Sequence, residues 1–315
     1  MTAPKVGIVI VHYRSFADTE RCLNSLLEQA YSNWFAVVVD NSPDDPSGRQ
    51  LVQAFDDPRL SFLIMPQNLG FAAGCNRGAC QARELGADYL WFLNPDTEAS
   101  RLALAGLIEQ AEIIGHVKLG SLCSAVTYAD SDPNVPPRIW GAGGTVDAAR
   151  RRIAMHQDVK RGSQSASSPC AQAYEVDYSP GCSMLIPVGV WLAVGPFDES
   201  YFLYFEETDW CLRASRLGYP HYCAPESIVK HHTDDQKVQA AAVVYYYNRN
   251  SYFFWWRFLN WPGRLKLLWE TLARKLPEAR RALRAATRAE DREIFQAHCQ
   301  AATDFLLLRR GAKPL

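Results

Sequence analysis

The first 127 residues alternate apolar runs too short for helices with stretches at helical spacing, and this alternation decides the fold class. Val6 to Val11 reads VGIVIV, the continuous β-branched run of a strand covered on both faces. A helix follows, with Ser15 three residues before Asp18 as a capping box and Cys22, Leu23, Leu26 and Leu27 as an apolar stripe. Phe35 to Val39, Leu60 to Ile64 and Tyr89 to Leu93 read as further strands. Helices are expected over Ala72 to Leu85 and Leu102 to Ile114, and Leu119 to Thr127 returns to the sheet. Strands joined through helices run parallel. The expected class is α/β: an open mixed, mostly parallel sheet with a Rossmann-like first half and a helical C-terminal extension.

Between Ala129 and Ala171 the periodicity fails. Pro133, Pro136, Pro137, the Gly-Ala-Gly-Gly run at 141–144 and the serine-rich tract Gly162 to Pro169 predict loops and hairpins laid over the sheet. Order resumes at Tyr174, with a turn and strand over Tyr178 to Pro187 and a helix over Val188 to Val194. The run Tyr204 to Trp210 opens a helix to about Leu217, stopped by Gly218, and from Val238 onward the pattern is helical. The expected division is 1–235 (halves 1–127 and 128–235) and a helical region over 236–315. Apolar residues at 48% and charged residues at 21% exclude disorder, and 33 basic against 34 acidic residues remove the field of a nucleic-acid binder. Nine cysteines without a Cys-x-x-Cys pair indicate neither a zinc ribbon nor a disulfide framework, so a reducing compartment is expected. Met1 to Lys5 runs straight into the first strand, which leaves no signal segment and predicts a cytoplasmic protein.

Three strands end in polar clusters: His12-Tyr13-Arg14, Asp40-Asn41-Ser42 and Asn94-Pro95-Asp96. In an open parallel sheet such ends converge on one cleft. No glycine-rich phosphate loop follows the first strand, so a metal is the candidate partner for phosphate charge. Asp96 is its candidate carboxylate, for Mg²⁺ or Mn²⁺. Farther on, Glu206 and Asp209 are three apart, hence on one helix face, with Glu207 about a quarter turn away.

Val6 to Arg14, Leu23-x-x-Leu26-Leu27-x-Gln29, Val37 to Ser42, Asn68 to Gly78 and Phe92 to Thr97 together resemble the family 2 glycosyltransferases of the GT-A fold. Gly181 to Ile186, Gly195 to Glu199, Tyr204 to Arg213 and Val229 to His232 are similar to its rhamnosyltransferase-like branch. The resemblance covers roughly residues 5 to 235. It implies a metal-dependent, inverting hexosyltransferase that moves a sugar, dTDP-L-rhamnose being the favoured donor, to a saccharide or lipid-linked saccharide acceptor in surface-polysaccharide assembly. Asp40 would grip the base, with Tyr13, Arg14, Asn68, Gly70, Asn76, Arg77 and Asn94 lining the nucleotide-sugar site. Asp96 and His231, or its neighbour His232, would hold the metal. Glu207 or Glu206 would be the catalytic base, and Gly181, Cys182, Asp209 and Trp210 would form the acceptor side. Two departures stand out: Tyr13-Arg14 where the family usually reads Tyr-Asn, and Glu206-Glu207 where it usually reads Glu-Asp.

Other readings stay open: transfer of galactofuranose or glucose, a donor-binding protein without turnover, or a dehydrogenase, which the missing glycines argue against. The aromatic stretch Tyr245 to Trp261, followed by Arg264, Lys266, Arg274 and Lys275, also has two readings. Its rings either pack the helix onto the catalytic domain, the reading preferred, or attach the protein to the inner face of a membrane. Asn248, Arg249 and Asn250 interrupt it, so it does not span a bilayer. Oligomeric state is left open.

Overall fold

The computed structural model describes residues 3–115, 119–129, 137–158, 172–232 and 240–312. The first half runs β1 (Val6–His12), α1 (Phe16–Leu27), β2 (Trp34–Asp40), α2 (Ser47–Ala54), β3 (Leu60–Ile64), α3 (Phe71–Glu84), β4 (Tyr89–Leu93), β5 (Thr97–Ala99), α4 (Ala103–Ile114) and β6 (Ser121–Tyr128). Short strands β7 (Ile139–Gly141), β8 (Gly144–Asp147), β9 (Arg152–Met155) and β10 (Tyr174–Val176) precede β11 (Ser183–Pro187), α5 (Val188–Val194), α6 (Glu206–Arg216) and β12 (His221–His231). Helices α7 (Ala241–Phe258), α8 (Trp261–Glu270), α9 (Leu276–Ala285) and α10 (Ala289–Leu306) follow. The expected proline-rich and serine-rich loops at Pro133, Pro136 and Gly162 to Pro169, together with Val238, lie outside the described residues.

The main sheet has the order β10-β12-β6-β11-β4-β1-β2-β3. β3, β2, β1 and β4 are mutually parallel, β11 enters antiparallel between β4 and β6, and β12 runs parallel to β6. This is the expected mixed, mostly parallel α/β sheet. Its central strand shows why the apolar run is unbroken: Val6, Ile8 and Ile10 enter one core layer with α1 and α4, while Val9 and Val11 enter the other with α3. α3 lies close because its contact positions are glycines. A Cβ at Gly78 would come within 2.4 Å of Val9 Cγ1, and one at Gly74 within 2.9 Å of Val11 Cγ1.

Some local expectations differ from the structure. Ser15 is the N-cap of α1, but its hydroxyl donates to Asp18 Oδ2 (2.5 Å) and caps no backbone N–H. β12, of which the sequence reading marks only the histidine end, is eleven residues long. Its pattern is obscured because Pro225 lies in a register shift between Ala224 and Ile228.

By internal contacts the chain forms two compact units, one of Met1–Val146, Ile153–Phe197 and Glu207–Thr233, the other of Asp147–Arg152, Asp198–Glu206 and Asp234–Leu315. In the second, most aromatics of α7 are core, Tyr247 being exposed: Tyr252 and Phe253 pack on Phe305, and Phe254 on Phe205. The polar residues interrupting the run anchor it. Asn250 Nδ2 donates to the carbonyls of Tyr201, Leu203 and Tyr204 at 2.6–3.1 Å. Buried Arg249 donates to Tyr201 O and Gly311 O.

In the first unit, buried His221 has its Nε2 2.8 Å from Cys211 O and its Nδ1 2.7 Å from Ser121 Oγ. The carbonyl accepts only, so Nε2 carries the proton and Nδ1 accepts from the hydroxyl. Burial pushes the pKa down from 6.5 to about 4. An unfolded chain takes up this proton below pH 6.5 and the folded chain only near 4, so stability falls with pH across that window and levels off beneath it. At 1.36 kcal/mol per pKa unit the loss is roughly 3 kcal/mol. Urea unfolding between pH 7 and pH 4 is expected to show a steeper loss for the native chain than for His221→Gln; equal slopes would contradict it.

Candidate active site

β1 lies between β2 and β4, where the strand order reverses, and it is at the carboxyl edge beside such a point that open sheets of this kind take ligands. Register puts His12 beside Asp40, and β11, running the other way, brings Ser183 opposite Leu93. Asn94 N donates to Cys182 O at 3.0 Å. The end of β12 arrives at the same edge, His231 pairing with Thr97 of β5.

At the end of β2, Asp40 is buried and its Oδ1 accepts from Ser42 N (2.9 Å) and Ser42 Oγ (3.0 Å). Gly48 abuts the carboxylate so closely that a Cβ there would come within 1.9 Å of Oδ2. Asn41 ties this strand end to the next loop: Nδ2 donates to Asn68 Oδ1 and Gly70 O, and Oδ1 accepts from Leu69 N, all at 3.0–3.1 Å. Gly70 has φ 87°, the left-handed region that suits glycine. Arg14 donates to Asp44 at 2.5 Å and lies over the exposed Tyr13 ring, and its own N donates to Ser42 Oγ. His12 is not free for chemistry, since its nitrogens lie 2.8 Å from Thr19 Oγ1 and Ser47 Oγ and burial lowers its pKa.

The second group surrounds Asp96. Its Oδ1 is 3.1 Å from His231 Nε2, whereas His232 Nε2 lies 3.4 Å from Glu98 Oε2, so the two adjacent histidines have different carboxylate neighbours. Trp140 packs edge-on against the His231 ring with centroids 4.5 Å apart. Among the described residues, Asn94 Oδ1 is buried with no hydrogen-bond partner, as is His231 Nδ1. An unsatisfied amide oxygen two residues before a carboxylate that pairs with an imidazole is a donor set that suits a hard divalent cation taking its remaining ligands from phosphate and water. Among the described residues no group of three or more His, Cys, Asp or Glu is arranged to hold a metal by itself.

Glu207 packs on Gly181, next to Cys182, whose carbonyl accepts from Asn94 N. Burial pushes the Cys182 thiol well up, and the carboxylates of Asp96 and Glu207 push it further, so both acids lie within electrostatic reach of one sulfur. Gly181 leaves the room for Glu207, because a Cβ there would meet Glu207 Cγ at 3.4 Å. Glu207 is half-buried, while Glu206 is buried and belongs to the second unit.

Other expected site residues are not brought to this point. Trp210 is buried, stacked on Trp191, and its Nε1 donates to Gly195 O (2.8 Å). Asp209 is buried against Arg213 (2.8 Å), which also donates to Val194 O and Pro196 O. Asn76 exchanges two 3.0 Å hydrogen bonds with the backbone of Phe197, and Arg77 beside it is exposed. These side chains fasten the 194–197 turn to α3 and α6. Sequence reasoning missed Gly48, Trp140 and the bracing role of Arg213. Only Arg213 carries a signal, its i,i+4 spacing from Asp209.

The fold is that of GT-A enzymes. Residues 7–141 match the family model described as Glycosyl transferase family 2. The low-salt glycan biosynthesis hexosyltransferase Agl10 of Haloferax volcanii is 25% identical over 214 residues, 67% of this chain, and the match spans less than two thirds of that relative, 62%. An N-acetylglucosaminyl-diphospho-decaprenol L-rhamnosyltransferase of Mycobacterium tuberculosis is 25% identical over 243 residues, 71% of this chain and 75% of that protein. Among solved structures, GalNAc-T7 with UDP, GalNAc and Mn²⁺ aligns with a TM-score of 0.64 at 14% identity over 97% of this chain and 56% of its own. A mannosyltransferase from Pyrobaculum calidifontis with GDP-Man and Mn²⁺ gives 0.58 at 14% identity over 97% and 88%. Residues 7–141 thus match a family 2 glycosyltransferase domain, and the relatives that match over a longer span are by their names a hexosyltransferase and an L-rhamnosyltransferase.

Asp209→Ala leaves the largely buried Arg213 guanidinium without its carboxylate and is expected to cost about 2–4 kcal/mol. The urea midpoint measures it; an unchanged midpoint with impaired acceptor use would instead make Asp209 an acceptor contact.

Proposed function

We propose that this protein transfers a sugar from a nucleoside-diphosphate donor to a hydroxyl of a saccharide or lipid-linked saccharide acceptor, with inversion. The observation that carries the reading is what meets at residues 181–182: Glu207 packs on Gly181, Asn94 N donates to Cys182 O, and Asp96, two residues after Asn94, is paired with His231. L-rhamnose from dTDP-L-rhamnose is the favoured donor because a relative is by its name an L-rhamnosyltransferase, acting on a lipid-linked saccharide. Surface-polysaccharide assembly at the cytoplasmic face of a membrane is the corresponding setting.

In this mechanism Asp40 grips the base, and the Asn41-braced loop with Asn68 and Gly70 lines the donor. Tyr13 and Arg14 close the base side. The Glu207 carboxylate takes the proton of the acceptor hydroxyl as its oxygen attacks the anomeric carbon. The new carbon–oxygen bond forms as the bond to the diphosphate oxygen breaks, and the electron pair leaves with the nucleoside diphosphate. Mg²⁺ or Mn²⁺, when held by Asp96 with the Asn94 amide oxygen and His231 imidazole, supplies positive charge for that leaving group. Gly181 and Cys182 line the acceptor side. Asp209 and Trp210 act behind it as positioning residues for the 194–197 turn.

Transfer is tested with a panel of nucleotide-sugars, Mn²⁺ and saccharide acceptors, with products read by mass spectrometry. Glu207→Gln and Asp96→Ala are expected to lose about 10²-fold or more in kcat/KM at unchanged melting temperature. Wild-type rates in both variants would overturn the mechanism. Donor binding without product from any acceptor would favour a binding protein, and preference for another hexose would correct the donor alone.

A further inference from the structure

The stretch that most suggests a membrane surface in the sequence, Tyr245 to Trp261, is largely spent on the core of the C-terminal unit. The exposed apolar side chains stand farther along. Residues 261–285 are helical throughout, as α8, a π-helical turn at Thr271–Lys275 and α9. Trp261, Leu265, Trp269 and Leu272 are 66%, 61%, 63% and 55% exposed. Spaced at i, i+4, i+8 and i+11, they form one stripe. The opposite side carries buried Leu267, Glu270 and Thr271, so the helix has already satisfied its own inward face. The start is fixed: Asn260 caps Gly263 N at 3.1 Å, and Arg264 lies over the Trp256 and Trp261 rings.

Charge decides what this stripe meets. The run 261–285 contains seven Lys and Arg against Glu270 and Glu278. Glu270 is turned inward to Arg151, and Glu278 lies 4.0 Å from Arg274. Lys266, Arg280, Arg281 and Arg284 are exposed. A second copy would bring like charges together, whereas an anionic lipid surface complements them, and exposed Trp and Leu suit the headgroup boundary. Among the described residues no helix is long and apolar enough to cross a membrane, so this one would lie on it.

We infer that the Trp261–Leu272 stripe is a peripheral docking face for an anionic bilayer. The inference goes beyond the proposed transfer reaction and is tested without donor or acceptor, so either can fail alone. The full chain is floated with vesicles of phosphatidylcholine mixed with phosphatidylglycerol, and with phosphatidylcholine alone. Flotation is expected with the anionic vesicles, weakened by salt and by the combined Arg280→Gln, Arg281→Gln and Arg284→Gln variant. The Trp261→Gln and Trp269→Gln double variant, whose rings are exposed and whose melting temperature should not move, is expected to lose about tenfold in bound fraction. The inference is overturned if the native chain does not float, or if the double variant floats equally well. It is likewise overturned if sedimentation shows a dimer that this variant dissolves while vesicles capture nothing.

Discussion

Everything at the candidate site depends on β1 being paired on both sides and covered on both faces. A strand so placed has no freedom of register: β2 runs beside it to the pair His12 and Asp40, and β4 pairs up to Phe92 opposite Val9 and ends one residue later. The polar residues at those ends therefore share one edge of the sheet although 28 to 84 positions separate His12 from Asp40 and Asp96. Burial of VGIVIV thus delivers the site's geometry, and Gly74 and Gly78 of α3 preserve it by letting the helix lie directly on Val11 and Val9.

The polar groups at this edge divide into two kinds by how completely their hydrogen bonding is used. His12, Asn41, Asn76, Asp209 and Arg213 have well-defined partners and act as braces between elements. Asn94 Oδ1, by contrast, is buried and unsatisfied, and Asp96 stays partly open beside His231. Groups that keep bonding capacity in a crevice are where a ligand gains most. This division separates Asp96 from Asp209, two aspartates that composition treats alike.

The alternation of buried strands with helices made the nucleotide half legible, down to the bounds of Leu60–Ile64 and Tyr89–Leu93. Strand ends named the acids and amides, because polar residues directly after a β-branched run have few other uses. What stayed hidden was set by long-range contacts. Nothing local tells that Trp140, in an aperiodic stretch, leans on His231, or that Gly48 must lack a side chain for Asp40 to fit. β12 hid behind Pro225, and the burial of Trp210 is decided by Trp191 and Gly195, which no spacing rule connects to it.

The aromatic residues show the same limit. Two side chains that read as interruptions in the run, Arg249 and Asn250, are its centre, because the backbone carbonyls of Tyr201, Leu203 and Tyr204 all accept from Asn250 Nδ2. That arrangement in turn holds Phe202, Tyr204 and Phe205 at φ of 66°, 68° and 76°, a costly conformation for residues with a Cβ. The strained segment ends where α6 begins, one residue before Glu207. Buried polar groups are spent here on an irregular loop rather than on a helix, which is what holding three residues with a Cβ at positive φ requires.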